Sequence, residues 1–443
     1  MNNVFGEMFN YFVMRKTVMY LSSIKPRYFM LLVYLFLIAG ATSCRDDHFE
    51  SDLTDDSIQL SKAELIQQAL SRMPQTRGDN PNAVVMVTIK NTVSLRCMAL
   101  DSMVIHWGDD STTQITKMSN IEHTHTYSDN KPSHAILIAG SKKAIISLTV
   151  DNNELIHLNV SYNENLRTLS CLENRLDGLV STGCSVLQSL HIANNELSSL
   201  EVAHLLKLQT LQAEHNLLKE LDLSNNFNLG VLLLGKNRIE VLDVSNNLDL
   251  SILEFENNPI ESIDLSEHIN LMGLNASYTR IVELDLSKSI NLQNIILEGV
   301  SIETFNNHCI SDTSFSVYSQ LWQLNIAYTP FTEIDLSSNP KINRIDISGT
   351  EITQLDLSGI QIGYLYATRS KLTNLICVST SLRDLYELRI ERTPFEKDGS
   401  EMYNLSLLLP FRSVDNPGHL YSYSPYLDSL ASCLKDMNWL INQ

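Results

Sequence analysis

The sequence predicts a repeat solenoid poor in regular α/β elements, a horseshoe with one short parallel strand per coil. A small β-sandwich precedes it and a helical C-terminal cap closes it. Three observations predict this. Apolar residues mark a strict 21-residue period at Ile145, Leu166, Leu187, Leu208, Leu229, Leu250, Leu271 and Leu292, resuming at Leu321, Ile342, Ile362 and Leu385. Within each unit the fourth and sixth residues are apolar, as in Leu211 and Ala213 or Leu232 and Leu234, the alternation of a short strand with one buried face. A polar column follows at the ninth position: Asn153, Asn174, Asn195, Asn216, Asn237 and Asn258, then Thr279, Thr329, Thr350 and Ser370. An asparagine at a bend hydrogen-bonds the backbone that the turn buries.

These starts give twelve coils over residues 143–395. The interval from Leu292 to Leu321 is eight residues too long, which places an insertion at 306–320 after Val300 breaks the polar column. The second half of each coil reads Leu221-Asp222-Leu223-Ser224 or Leu242-Asp243-Val244-Ser245. Asp222, Asp243, Asp264 and Asp285 thus form a column of carboxylates on the convex side, read as local Asp–Ser turn bonds, with calcium as the alternative. The pattern LxxLxLxxNxL with the LDLS second half resembles the leucine-rich repeat family, in its short internalin-type class. That class often stacks cysteines at the sixth position. Here only Cys171 stands there, before Ile192, Ala213, Leu234, Phe255 and Ala276, so a cysteine ladder is not expected.

Lys and Arg number 32 against 51 Asp and Glu, a net charge of −19 that argues against a nucleic-acid partner. The 7 cysteines show no paired spacing, and Cys171 and Cys377 are read as small buried hydrophobes. Residues 29–41 form an apolar run behind Lys25 and Arg27. As a helix it rises about 20 Å, too short for a bilayer core of about 30 Å, and it fits a signal peptide over 1–43. Its end, Ala41-Thr42-Ser43-Cys44, resembles the lipobox of bacterial lipoproteins, which implies lipidation of Cys44 and a membrane anchor there. An ordinary cleavage site is the alternative. The acids Asp46, Asp47, Glu50, Asp52, Asp55 and Asp56 make residues 44–82 a solvated tether. They also resemble the export signal of surface lipoproteins of the Bacteroidetes type, which implies outer-surface display; a periplasm-facing lipoprotein is the alternative.

Within the tether, Ser61 and Glu64 form a capping-box signature for one helix near 62–72, and residues 75–82 read as a hinge. Residues 83–142 carry β-branched runs such as Val84–Ile89, Met103–Trp107 and Ala135–Ile138. Trp107-Gly108-Asp109 with His125-Thr126-Tyr127 resembles the WGDG…HTY pair of PKD-like β-sandwiches, departing at Asp110. His106, His123, His125 and His134 cluster here, and they are read as strand and loop residues rather than as metal ligands. Residues 396–443 read as the cap: an amphipathic segment from Glu401 to Leu409, a turn at Asn416-Pro417-Gly418, a helix over 425–437, and a closing strand at Trp439-Leu440-Ile441.

The chain holds no HExxH, GxSxG or EF-hand loop, so no enzyme, cofactor or metal is expected. Gly230 to Asn237 nearly spells a phosphate loop, but Leu232, Leu234 and Asn237 are repeat positions. Binding is the better reading. Outward strand positions line the concave face, where extended arrays bind. The middle coils present Glu214, His215, Lys236, Glu254 and Glu256 there; later coils present Tyr278, Tyr328, Tyr364, Tyr366, Arg369 and Arg392, with Trp322 at a second position. Exposed Tyr, Trp and Arg carry binding energy at protein interfaces and also stack on sugars. The expected partner is therefore an extracellular protein, in adhesion or host or neighbour recognition, or alternatively a glycan of a carbohydrate-uptake system.

Overall fold

The computed structural model describes residues 60–73, 82–141, 143–302, 318–377, 381–410, 412–413, 416–427 and 434–442. The expected signal peptide, the lipidation at Cys44, the acidic run to residue 59, the hinge up to 81, residues 306–317 of the insertion and 428–433 of the cap lie outside them. The described residues fall in one compact unit, Leu60–Gln443.

Twelve coils stack in parallel through the strands Ile145–Thr149, Thr168–Ser170, Ser189–His191, Thr210–Gln212, Val231–Leu233, Ile252–Glu254, Gly273–Asn275, Asn294–Ile296, Gln323–Asn325, Arg344–Asp346, Tyr364–Tyr366 and Glu387–Arg389. They are numbered 1 to 12 here. Pairing keeps each fourth residue opposite the next coil's fourth, as in Leu211 with Leu232 and Leu253 with Leu274. Leu169, Leu190, Leu211, Leu232, Leu253, Leu274, Ile295, Leu324, Ile345, Leu365 and Leu388 are all fully buried in one column. Each contributes roughly 1.5–3 kcal/mol relative to exposure, and the repeat multiplies that term along the array. Register is unbroken across the insertion, Ile295 facing Leu324. The coil pattern has resumed by buried Tyr318, two residues before the insertion was expected to end.

Two polar ladders run inside the bends. In the first, Asn216 Nδ2 donates to Ala213 O of its own coil (3.2 Å) and Ile192 O of the coil before (3.0 Å), while its Oδ1 accepts from Leu197 N (3.0 Å). Asn174, Asn195, Asn237 and Asn258 repeat the arrangement. The later hydroxyls do less. Thr279, Thr350 and Ser370 donate only to the carbonyl three residues back in their own coil, because a hydroxyl has one proton to give and spends it there. The second ladder has no fixed residue type. Asn226 and Asn247, His268, Ser289, Tyr318, Asn339 and Ser381 each bond a backbone carbonyl of a preceding coil. The convex aspartates cap their turns locally: Asp222, Asp243, Asp264 and Asp285 each accept the N–H of the serine two residues on.

The small β region comprises β1 (Asn82–Thr88), β2 (Thr92–Ala99), β3 (Met103–His106), β4 (Thr112–Ile115), β5 (Glu122–Thr126) and β6 (His134–Ala139). The sequence placed a boundary at 142, and the hydrogen bonding does not stop there. Strands β2 and β5 continue the coil sheet, which with two cap strands at its other end has 16 strands, and Leu155–Asn159 from the second half of coil 1 joins β1 in a five-stranded sheet with β6, β3 and β4. Both interior ladders begin in these strands: Asn153 exchanges bonds with the Ser94 backbone of β2, and Asn163 donates to Ala83 O of β1. The first coil needs a neighbour, and the small region supplies it. Helix α1 (Lys62–Ser71), with its Ser61–Glu64 capping box, is also part of this unit rather than of a free tether, since Ala69 packs on Val87, Ala135 and Ile156.

The cap is helix and sheet together. Helix α2 (Gly399–Leu408) is capped by Asp398, and the coil sheet continues through Gly418–Tyr421, directly after the expected turn, where no strand was expected, and ends on Trp439–Asn442. Extending the sheet satisfies backbone edges that a helix would leave open. Cys97, Cys171, Cys184 and Cys377 are free thiols; Cys377 is only partly buried, at the periphery of the core.

The two kinds of rung differ in what they leave unpaired. Asn216→Ala is expected to lower unfolding free energy by about 2–3 kcal/mol, since Leu197 N loses its partner and the Ile192 and Ala213 carbonyls each lose one of two donors. Thr350→Ala is expected to cost about 1 kcal/mol. Equal losses in urea denaturation would show that the bridge between coils contributes nothing.

Candidate functional site

Residues three and five of each coil flank the buried fourth and point outward, so pairing sets them in two rows across the sheet. Over the last coils the fifth-position row reads Asp346, Tyr366, Arg389 and Tyr421, and the third-position row reads Arg344, Tyr364, Glu387 and His419. The Arg344 guanidinium lies 5.4 Å from the Tyr364 ring centre and 5.0 Å from that of Tyr366. Arg389 lies 5.5 Å from Tyr366 on its other side and 4.1 Å from Tyr421. Cation and ring alternate across four consecutive strands. At the edge, Tyr386 meets Tyr364 edge-on at 5.8 Å and His419 at 5.4 Å. Glu387 accepts from Arg389 Nε at 2.7 Å and from the Tyr366 hydroxyl at 3.3 Å. Burial, with that carboxylate adding to it, pushes the Tyr366 phenol up to about 12, so it stays a neutral donor.

One buried carboxylate secures the edge of this surface. Glu396 is 3% exposed and accepts from Arg392 N, Ser422 Oγ and Tyr423 N, each at 2.7 Å. It thereby ties coil 12 to the first cap strand and sets Arg392 over the Tyr423 ring at 5.9 Å.

The sequence-derived site residues do not form one site. Tyr364 and Tyr366 lie at the centre of the arginine–tyrosine surface, and Arg392 and Arg369 lie at its rim. Tyr278, Tyr328, Arg369 and Arg392 share the eighth position, where φ is 55° to 62°. The left-handed turn there throws the side chain beside the end of the strand rather than onto its face. Tyr278 bonds Glu298 and covers Gly299, whose Cβ, if present, would stand 2.7 Å from the ring; Tyr328 covers Gly349 likewise. Trp322, 39% exposed, precedes its strand and so sits at the opposite edge from Tyr328. Glu254 and Glu256 lie in coil 6, five coils or roughly 24 Å from Tyr364. The same position rule would have found Arg344 and Arg389. It could not reach Tyr421 and His419, because residues 419–424, between the expected turn and helix, were assigned no strand; the alternation His419, Tyr421, Tyr423 was its only signal.

The middle coils hold a separate acidic pair. Glu256 leans into the space left by Gly235, its Oε1 only 2.0 Å from where a Cβ would stand, which brings it towards Glu214 two coils away. One oxygen of each carboxylate is buried without a hydrogen-bond partner. Burial, and then the charge of Glu256, pushes the Glu214 carboxyl up to about 7. Burial raises Glu256 as well, with Lys236 opposing it. Among the described residues no group of three or more His, Cys, Asp and Glu is placed to hold a metal ion. His125 and His134 are committed to Asp109 and Asp129, each at 2.7 Å. The phosphate-loop lookalike is strand and bend, with Asn237 inside the ladder.

Glu214 makes stability fall as pH rises. The unfolded chain releases this proton near 4.5, the ordinary glutamate value, while the folded chain keeps it to about 7, so the folded state binds more protons in that window. Glu214→Gln is expected to match the parent near pH 4 and exceed it by about 1–3 kcal/mol near pH 8. Parallel pH–stability curves for the two proteins would refute this.

No protein-family model matches the chain, and no curated protein matches its sequence. Solved structures do match its fold. The functional domain of InlJ from Listeria monocytogenes, described as including a cysteine ladder, aligns with TM-score 0.50 at 23% identity. The alignment covers 59% of this chain and 62% of that domain, so the match spans less than two thirds of the relative. A leucine-rich repeat protein of Leptospira interrogans aligns with TM-score 0.52 at 19% identity, over 67% of this chain and 83% of that one. At such identities the likeness is one of fold. This chain is a parallel-strand solenoid built like the leucine-rich repeat proteins, with few helices.

Proposed function

We propose that this chain is a non-enzymatic binding protein that holds a protein partner against the outward sheet face of coils 10 to 12 and the first cap strand. The observation that carries the reading is the alternation of Arg344, Tyr366, Arg389 and Tyr421 across four neighbouring strands. Arginine and tyrosine are the side chains that concentrate binding energy at interfaces, and here the fold fixes them before any partner arrives. The lipobox-like end at Cys44 and the acids behind it support a lipid anchor and outer-surface display of the Bacteroidetes type, in adhesion or in recognition of a host or neighbouring cell. The small β region supports a PKD-like reading through Trp107, which stacks on His125, and Tyr127, which meets His125 edge-on and donates its hydroxyl to Trp107 O.

Two experiments test this. Tyr364→Ala with Tyr366→Ala is expected to weaken capture of the cognate protein at least ten-fold while the thermal midpoint shifts by only a few degrees; undiminished capture sinks the reading. Protease treatment of intact cells is expected to remove the protein from cells carrying Cys44 and to find none anchored after Cys44→Ser. Full protection of the Cys44 protein would place it facing the periplasm.

A further inference from the structure

We infer that the partner presents a carboxylate-rich, extended peptide segment to the arginine–tyrosine surface. The inference rests on the reading of that face as the binding face and specifies its ligand chemistry.

Three guanidinium groups carry it. Arg344, Arg369 and Arg392, on coils 10, 11 and 12, have no carboxylate within 4.0 Å among the described residues. They lie on three consecutive coils at one end of an array whose chain carries a net charge of −19. The carboxylates on the same face are already engaged. Glu387 holds Arg389, Glu391 accepts from Thr368 Oγ1 at 2.8 Å, and Asp346 accepts from Ser348 N at 2.9 Å. Asp346 acts on Arg344 through its charge, but no carboxylate bonds any of the three guanidinium groups.

The rings decide between an acidic peptide and a sugar. Stacking on a pyranose needs a free aromatic face. Tyr366 has a guanidinium on each side, and Tyr364, Tyr421 and Tyr423 each have one over the ring. Tyr366 is flanked twice, and one face of each of the others is covered. A guanidinium laid flat on a ring keeps its in-plane N–H groups at the edge, aimed away from the ring, and that fork fits a carboxylate through two parallel bonds. The tyrosines thus act as supports that hold the forks, and the forks are the recognition groups. An acidic polysaccharide offers the same carboxylates but would have to seat its rings beside guanidinium groups that already cover one face of every ring. A peptide strand carrying Asp or Glu at alternate residues offers carboxylates on one side without that demand.

The test uses the full chain and a fluorescein-labelled twelve-residue peptide alternating Glu and Ser, read by anisotropy, beside the same peptide with Gln for Glu. Tighter binding of the Glu peptide by at least ten-fold is expected, with affinity falling steeply as salt rises. Combined Arg344→Gln, Arg369→Gln and Arg392→Gln should abolish that preference. Arg344→Lys should lose at least three-fold although the charge remains, because the planar fork is gone. Equal binding of the two peptides, or an unaffected triple variant, overturns the inference. So does binding of labelled polygalacturonate or a labelled neutral oligosaccharide by a protein that ignores the Glu peptide. If the Glu peptide fails while the double tyrosine variant still loses its protein partner, the binding face stands and only its ligand chemistry is wrong.

Discussion

Everything in this molecule depends on satisfying backbone groups inside tight, repeated bends. Each coil turns its chain inward after a strand of three residues and buries carbonyl and N–H groups that no sheet can pair. The asparagine column answers this with one side chain that donates to two coils and accepts from a third group, as at Asn216. An unpaired buried amide costs about 1–3 kcal/mol, so a coil without its rung would give up much of what its leucines contribute. The ladder also has ends, and an end needs a substitute coil. At the start Ser94 of β2 and Ala83 of β1 act as that substitute, and at the finish two cap strands do. The termini of the array are therefore joined to it by the same hydrogen bonds that join coil to coil.

The asparagine ladder gives way to hydroxyls at Thr279, and from there the rungs stay within their own coils. The arginine–tyrosine alternation occupies the far part of that stretch, linking four strands on the outer face. Inside, the links are backbone bonds in a dry interior; outside, they are cation–ring contacts worth about 0.5–1 kcal/mol each at exposed sites. The two differ in consequence. Altering an interior rung acts on stability, whereas altering the outer row acts on what the surface presents. Recognition can diverge on this face without disturbing the core beneath it.

Charge follows the same division. The convex aspartates cap serine turns, and the buried pair Glu214 and Glu256 is a local destabilising element created by a missing side chain at Gly235. The arginines of coils 10 to 12 stand apart from both. Their positive charge is confined to one end of one face of an otherwise acidic protein, and it is held in place by tyrosine and by the buried Glu396.

The sequence alone determined the coil, because a period of 21 states which side chains face inward, and that pattern is local. It gave the number of coils, the first ladder, the turn role of the aspartates and the central pair Tyr364 and Tyr366. Tertiary structure decided what neighbours across coils or at the array's ends do for one another. The second ladder was illegible because any group able to reach a carbonyl serves it, from Asn226 to His268 to Tyr318. The fusion of β1 and β2 to coil 1, and the strand from Gly418 to Tyr421, follow from the need to cover an open sheet edge, which leaves no repeat in the sequence. The site was half legible for the same reason. Position within a coil told which residues point outward, but only the stacking of four strands set Arg344, Tyr366, Arg389 and Tyr421 side by side.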